Sequence, residues 1–182
     1  MKRALARAAS AASAAFALAT AACGYRLVHA PADPLGPFAV LAGRVYVPDA
    51  AAITSAEEGA RAELARSGEL APGGAGAGSV EIEVLRVDET GEGIALAPGR
   101  AAMPLARAVR VTVLGRARLR RAGSDAVERD TGDLRVSEVG ARAEGAGAGA
   151  LVRDELGRAA ARRLGEALVR RLLGVPEAGE PE

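Results

Sequence analysis

One alternating run constrains the fold of this chain more than any other feature. Between Ala106 and Arg121, apolar and polar side chains alternate with few breaks. The apolar positions of one parity are Val109, Val111, Val113, Ala117 and Leu119. A period of two predicts a strand with one face on a core and the other in solvent. At about 3.3 Å per residue the run would extend about 50 Å, so we expect Gly115 to mark a bulge within it.

Shorter patterns on both sides of this run predict the rest of the sheet. Strands are predicted over 38–47, 80–84 and 127–139, the last interrupted at 131–132 and following a turn at 122–125. Residues 89–104 are rich in glycine and proline, so we predict a loop there.

Two helices are predicted, one before the second strand and one at the end of the chain. The first begins at two overlapping capping boxes, Thr54 with Glu57 and Ser55 with Glu58, and ends before Gly68. The second covers 150–173 and carries an apolar residue at every fourth position. The order β-α-β-β-β-α predicts an α+β two-layer sandwich, with a mostly antiparallel four-stranded sheet and both helices on one face. The first strand can pair parallel to the second through a right-handed crossover.

The N-terminus is typical of a bacterial secretory signal. A basic start with Lys2, Arg3 and Arg7 precedes an uncharged, alanine-rich stretch that ends at Cys23, the only cysteine of the chain. Leu18-Ala19-Thr20-Ala21-Ala22-Cys23 resembles a lipobox, which predicts a signal peptide over 1–22, cleavage before Cys23 and lipidation of its thiol. The alternative is an ordinary signal peptide with an incidental cysteine. We further predict a lipidated tether over 23–37, a folded domain over 38–174 and a disordered tail over 175–182.

Composition excludes several classes of function. One histidine and one cysteine cannot build a zinc site or an iron–sulfur cluster, so we expect no metal and no cofactor. A net charge of +1 and four aromatic residues argue against a nucleic-acid partner. Residues 145–150 match G-x-G-x-x-A, but the acidic residue that a dinucleotide site needs at the end of a second strand is missing. His29 lies in the tether, without the nucleophile elbow of a hydrolase, so we expect no enzymatic activity.

Cys23-Gly24-Tyr25-Arg26-Leu27, directly after the lipobox, resembles the start of the LPS-assembly lipoprotein LptE family, and the order of elements is similar over about residues 16–174. This resemblance implies a non-enzymatic plug and assembly partner of an LptD-like outer-membrane β-barrel. It also implies lipopolysaccharide as a ligand and an outer-membrane location, on the periplasmic side or inside the barrel lumen. Gly24 favours the outer membrane as well. The alternative is an auxiliary lipoprotein of a PqiC-like lipid-transport system.

The polar face of the long strand supplies the candidate contacts with lipopolysaccharide or a barrel. They are Arg110, Arg116, Arg118 and Arg120, together with Arg100 in the preceding loop. Guanidinium groups bind phosphate with two parallel hydrogen bonds, so a row of them could hold lipid A phosphates. The alternative is a solvated face in which Glu81 and Glu83 of the neighbouring strand pair with the arginines.

Overall fold

A computed structural model describes residues 36–72, 76–96, 104–141 and 146–175, and its elements follow the predicted order. The strands are β1 (Phe38–Ala42), β2 (Gly78–Leu96), β3 (Pro104–Arg120), β4 (Arg129–Asp130) and β5 (Leu134–Ala141). The helices are α1 (Ala50–Ser67), between β1 and β2, and α2 (Ala146–Leu173), after β5. β1 pairs parallel to β2, and all other pairings are antiparallel. The predicted α+β sandwich with a mostly antiparallel sheet is therefore confirmed.

The sheet is dominated by the β2–β3 hairpin, which is longer than the sequence predicted. β2 continues through residues 89–96, so the prediction of a loop over 89–104 is wrong for that part. The glycines of this stretch are held in strand geometry because their backbone groups pair with β3, as Gly91 does with Val109. The prediction of a bulge at Gly115 within the long strand is wrong, because the irregularity lies in the partner strand: the register shifts between Val84 and Arg86 of β2, opposite Gly115.

The segment after β3 explains why its pairing is interrupted. β4 and β5 follow one another along the free edge of β3 and are separated at 131–133. There the Thr131 hydroxyl accepts the Ala117 N–H at 2.9 Å, while the Thr131 N–H donates to the Ala117 carbonyl. Gly132 adopts a positive φ of 64°, which glycine allows without steric cost. The interruption that the sequence predicted at 131–132 is confirmed as a turn held by the Thr131 side chain.

α1 begins four residues earlier than predicted. Asp49 is the N-cap and its carboxylate accepts the Ala52 N–H at 2.9 Å, so the capping boxes at Thr54 and Ser55 lie inside the helix. The alanines at 50–52 have the highest helix propensity, which favours extension back to the nearest good cap. The predicted end is confirmed, because Gly68 follows Ser67 with a φ of 77°.

Both helices pack on the same face of the sheet. The largest fully buried side chains of this core are Phe38, Leu64, Ile82, Leu119, Leu164, Leu168 and Leu172. The two helices approach each other closely through glycine. A Cβ atom at Gly165 would lie 1.9 Å from the Ala56 carbonyl oxygen, and one at Gly59 would lie 2.0 Å from that of Arg162. The small residues of α1, which look like a thin apolar stripe, therefore allow a close contact between the helix backbones.

Candidate functional site

The face of the sheet opposite the helices carries the candidate site. We call seven charged residues on this outer face the charged ladder. They are Glu81, Glu83, Arg116, Arg118, Arg120, Asp130 and Asp133. Three arginines face four carboxylates, so the ladder has a formal net charge of −1. Each of its three arginines has at least one carboxylate within ion-pair distance.

Two arginines of the ladder pair diagonally with β2. In the register, Arg118 lies opposite Glu81, yet its guanidinium donates to Glu83 at 3.1 Å. Arg120 lies opposite Ser79 and donates to Glu81 at 2.5 Å. The diagonal reach fits long side chains, which can span the distance to a residue two positions away on the neighbouring strand. The interpretation that Glu81 and Glu83 pair with these arginines is therefore confirmed.

The last residue of β4, Asp130, and the turn at 131–133 supply the remaining carboxylates. Asp133 accepts from Arg116 at 2.7 Å, and Asp130 accepts from Arg118 at 3.3 Å. Asp130 also accepts the N–H of Gly132 at 2.7 Å. This backbone hydrogen bond is the main reason that the pKa of the Asp130 carboxyl lies below its usual range. The guanidinium groups of Arg118 and Arg116 lower the pKa further, although partial burial opposes the shift.

Asp130 and Asp133 were absent from the sequence-based site. Their position depends on the turn, and the only signal for it was the interruption at 131–132.

Glu83 is the buried member of the ladder, with 2% of its surface exposed. Gly43 lies against it, since a Cβ at that glycine would fall 2.5 Å from the Cγ of Glu83. Burial lowers the pKa of the Arg118 guanidinium, but the charge of Glu83 and the hydrogen bond to Asp130 raise it more, so Arg118 stays cationic. A buried carboxylate needs such a partner because an unpaired charge there is costly.

The other half of the outer face is differently composed. The hydroxyls of Thr112 on β3 and Ser137 on β5 lie 2.8 Å apart. In the adjacent row of the register, Leu114 lies between Arg86 and Arg135. Arg86 pairs with Asp88 at 2.7 Å. Arg135 is exposed and, within the described part of the chain, its guanidinium has no ion pair. Arg135 was not among the predicted site residues, because it lies in the short strand β5, outside the arginine run.

The structure brings four of the predicted residues onto one face and leaves others outside its description. Arg110, Arg116, Arg118 and Arg120 share the outer face of β3, and Arg110 also takes part in an interaction. Arg100, Cys23 and His29 lie outside the described residues, as do the predicted signal peptide and most of the predicted tail. Whether any of these arginines contacts lipopolysaccharide or a barrel stays a prediction.

The helix layer has one groove of note, between the first turns of α1 and the middle of α2, with a volume of 970 Å³. Acidic and basic residues line the groove in equal number. Among them, Glu58 forms an ion pair with Arg162 at 2.9 Å. In the described ranges, no group of three or more metal-binding side chains comes together. No helix in these ranges is both long enough and apolar enough to cross a membrane.

Comparisons with known proteins show what this fold resembles. No family model matches the chain, and no curated protein matches it. A solved structure described as a candidate lipoprotein from Caulobacter crescentus CB15 is similar with 16% identity and a TM-score of 0.52, over 81% of this chain and 93% of that one. A minor lipoprotein from Acinetobacter baumannii gives 9% identity and a TM-score of 0.44, over 74% and 90% of the two chains. The likeness to the Caulobacter protein shows a shared fold.

Proposed function

We propose that this protein is a lipidated envelope protein, anchored through Cys23, whose outer sheet face docks against a polar partner surface. The lipobox and the sole cysteine support the anchor. The fold shared with a candidate lipoprotein agrees with it. Following the resemblance to the LptE family, the partner that we propose is an LptD-like outer-membrane β-barrel, with lipopolysaccharide as the transported ligand and no catalytic role for this chain.

The charged ladder carries the proposal for the docking face. Moving charged groups from water into an interface is costly unless each is already paired and hydrogen-bonded. In the ladder, Arg118 holds two carboxylates and Arg120 holds one, so these pairs can be covered without leaving a charge alone. A polar barrel interior is a suitable surface for such a face, because it supplies further donors and acceptors.

Lipopolysaccharide binding follows as a competition between phosphates and carboxylates. A lipid A phosphate would have to replace an aspartate or glutamate on Arg116, Arg118 or Arg120. At Arg110, it would have to compete with the interaction that this residue already makes. Arg100 remains a further candidate from the sequence. Phosphate accepts bidentate hydrogen bonds from guanidinium, and its higher charge favours the exchange where the existing pair is exposed. The exposed pair of Arg116 with Asp133 is therefore the first that we expect to open.

An affinity pull-down from detergent-solubilised outer membrane tests the docking face, with mass spectrometry of the recovered proteins. We expect a stoichiometric LptD-like barrel with the unmodified chain. Ser137→Trp places bulk on the outer face and should reduce recovery strongly, whereas Ala159→Trp on the exposed side of α2 is the matched control. Circular dichroism establishes that both variants fold. Equal recovery with both variants, or recovery of periplasmic lipid carriers in place of a barrel, would contradict the proposal and favour the PqiC-like alternative.

A further inference from the structure

Exposed apolar side chains are concentrated in one short segment that covers the end of β1 and the residues after it. Leu41 is 50% exposed, Val45 65% and Tyr46 50%, all within six consecutive residues. The other large apolar side chains that are exposed in the described part of the chain are scattered, at Val127, Val139, Leu151 and Val175. Isolated exposed apolar residues are ordinary, whereas a local cluster of them marks a contact surface. We call residues 41–46, which are the last two residues of β1 and the four that follow it, the β1–α1 loop.

The chemistry of the β1–α1 loop is that of a membrane interface. Tyr46 has an apolar ring and a polar hydroxyl, and tyrosine is enriched at the level of lipid headgroups for this reason. The guanidinium carbon of Arg44 lies 5.8 Å from the centre of the Tyr46 ring, so a cation sits beside the aromatic group. The aromatic residue Phe38 in β1 is buried, which leaves Tyr46 as the exposed aromatic side chain of the described ranges.

The length of the tether keeps this loop within reach of the bilayer that holds the anchor. Residues 23–37 precede Phe38, and at about 3.3–3.6 Å per residue they span at most about 50 Å. A domain held by a lipid on Cys23 therefore stays within that distance of the membrane. Only residues 38–40 of β1 lie between the end of the tether and the loop. We propose that the β1–α1 loop contacts the phospholipid surface beside the anchor, with Val45 and Tyr46 at the headgroup boundary and Arg44 on lipid phosphate.

This inference rests on the proposed lipid anchor and adds a second, weaker membrane contact to it. One function follows directly. A single point of attachment leaves the domain free to rotate, whereas a second contact fixes which way the sheet faces relative to the bilayer. Stable peripheral attachment commonly combines a lipid chain with such a protein contact. The outer face would then be presented to a membrane-embedded partner in a defined orientation.

The absence of tryptophan from this sequence gives a direct test. The mature protein is purified in detergent, its acylation is read from its mass, and it is reconstituted into vesicles of phosphatidylethanolamine and phosphatidylglycerol. Tyr46→Trp then supplies the only tryptophan signal, and Val139→Trp, at a similarly exposed site in β5, is the matched control. We expect brominated lipids to quench the Tyr46→Trp probe several-fold more than the control. Adding Val45→Asp to the probe variant should remove most of this difference.

Two further results separate the failure of the inference from the failure of the proposed function. An acylated protein whose Tyr46→Trp emission is quenched no more than that of the control overturns the membrane contact and leaves the anchor intact. A protein whose mass shows no acyl chains refutes the anchor, and quenching of the probe by added vesicles then still decides the contact. A blue shift that appears only with a detergent extract of outer-membrane proteins would assign the loop to a protein partner and also overturn the proposal.

Discussion

The close approach of the two helices predicts that one alanine substitution is harmful and another beneficial within the same helix. A Cβ at Gly165 would fall 1.9 Å from the Ala56 carbonyl oxygen and 2.9 Å from the Ala60 nitrogen. Both neighbours are backbone atoms of α1, so no side chain can turn away to make room. At Gly157, the nearest heavy atom would be a methyl group of Val111 at 3.9 Å, which is an ordinary contact.

The expected magnitudes follow from two opposing terms. Replacing glycine by alanine within a helix stabilises it by about 1 kcal/mol, which is the whole effect expected for Gly157→Ala. For Gly165→Ala the helices must separate by roughly 1 Å, and a gap of that size forfeits a quarter to a half of each dispersion contact that it opens. Overpacking commonly costs about 1–3 kcal/mol, and a 1.9 Å contact with backbone places Gly165→Ala at the upper end, about 3 kcal/mol. After the propensity gain of about 1 kcal/mol, we expect a net loss of about 2 kcal/mol.

Urea denaturation of both variants against the unmodified protein is the assay, with thermal melts as a second measurement. A loss of about 2 kcal/mol corresponds to a fall in Tm of about 6 °C for a domain of this size, and Gly157→Ala should raise Tm by about 3 °C. Gly59→Ala should behave like Gly165→Ala, because its Cβ would meet the Arg162 carbonyl oxygen at 2.0 Å. A Gly165→Ala protein as stable as Gly157→Ala would refute the close helix contact.

Three further predictions concern the ladder and the first helix. Arg118→Met leaves the buried Glu83 carboxylate without its nearest cation, so we expect urea denaturation to show a free energy of unfolding lower by about 1–3 kcal/mol. Adding Glu83→Gln to the same chain should recover most of this loss. The folded-state pKa of Asp130 lies below its unfolded value, which is near 3.9. The stabilisation from this carboxylate is therefore complete above that pH and is lost as the pH falls through the folded pKa. Asp130→Asn should make the free energy of unfolding less dependent on pH below about pH 4. Asp49→Ala should lower the stability measured by a thermal melt by about 1 kcal/mol, whereas Thr54→Ala should change the stability little. The opposite result would show that the helix begins at the capping boxes instead.

Local sequence patterns predicted the elements whose structure is determined by their own residues. The alternation over 106–121 predicted the faces of β3 and placed its ends within two residues of the observed Pro104–Arg120, because successive side chains of a strand lie on opposite faces. The extension of β2 through 89–96 could not be predicted in this way. Its glycines favour a loop locally, and they become strand because β3 offers backbone partners across the hairpin. The stabilising groups belong to another segment, so the local composition contains no sign of them.

The helix contact illustrates a second limit. Gly59 and Gly165 each look like weak points in a helix when considered alone. Their role appears only when the register between α1 and α2 places each glycine against a backbone carbonyl of the other helix. That register depends on how both helices settle on the sheet, and many pairings of small residues would have been compatible with the sequence. The composition predicted small residues on α1, but the choice of which ones touch is a tertiary property.

The charged ladder depends both on local alternation and on tertiary contacts, so its chemistry could be predicted only in part. Alternation placed the arginines on one face and the glutamates of β2 on the same side, so pairing between them was foreseeable. The partner of each arginine could not be predicted, because the pairs with β2 are diagonal and two aspartates join them, Asp130 from the end of β4 and Asp133 from the turn that follows. These aspartates reverse the sign of the ladder, from a cationic row to a net charge of −1. Within the ladder, a ligand phosphate must therefore displace a carboxylate, and lipopolysaccharide binding to the ladder should weaken less with added salt than binding to a row of unpaired arginines.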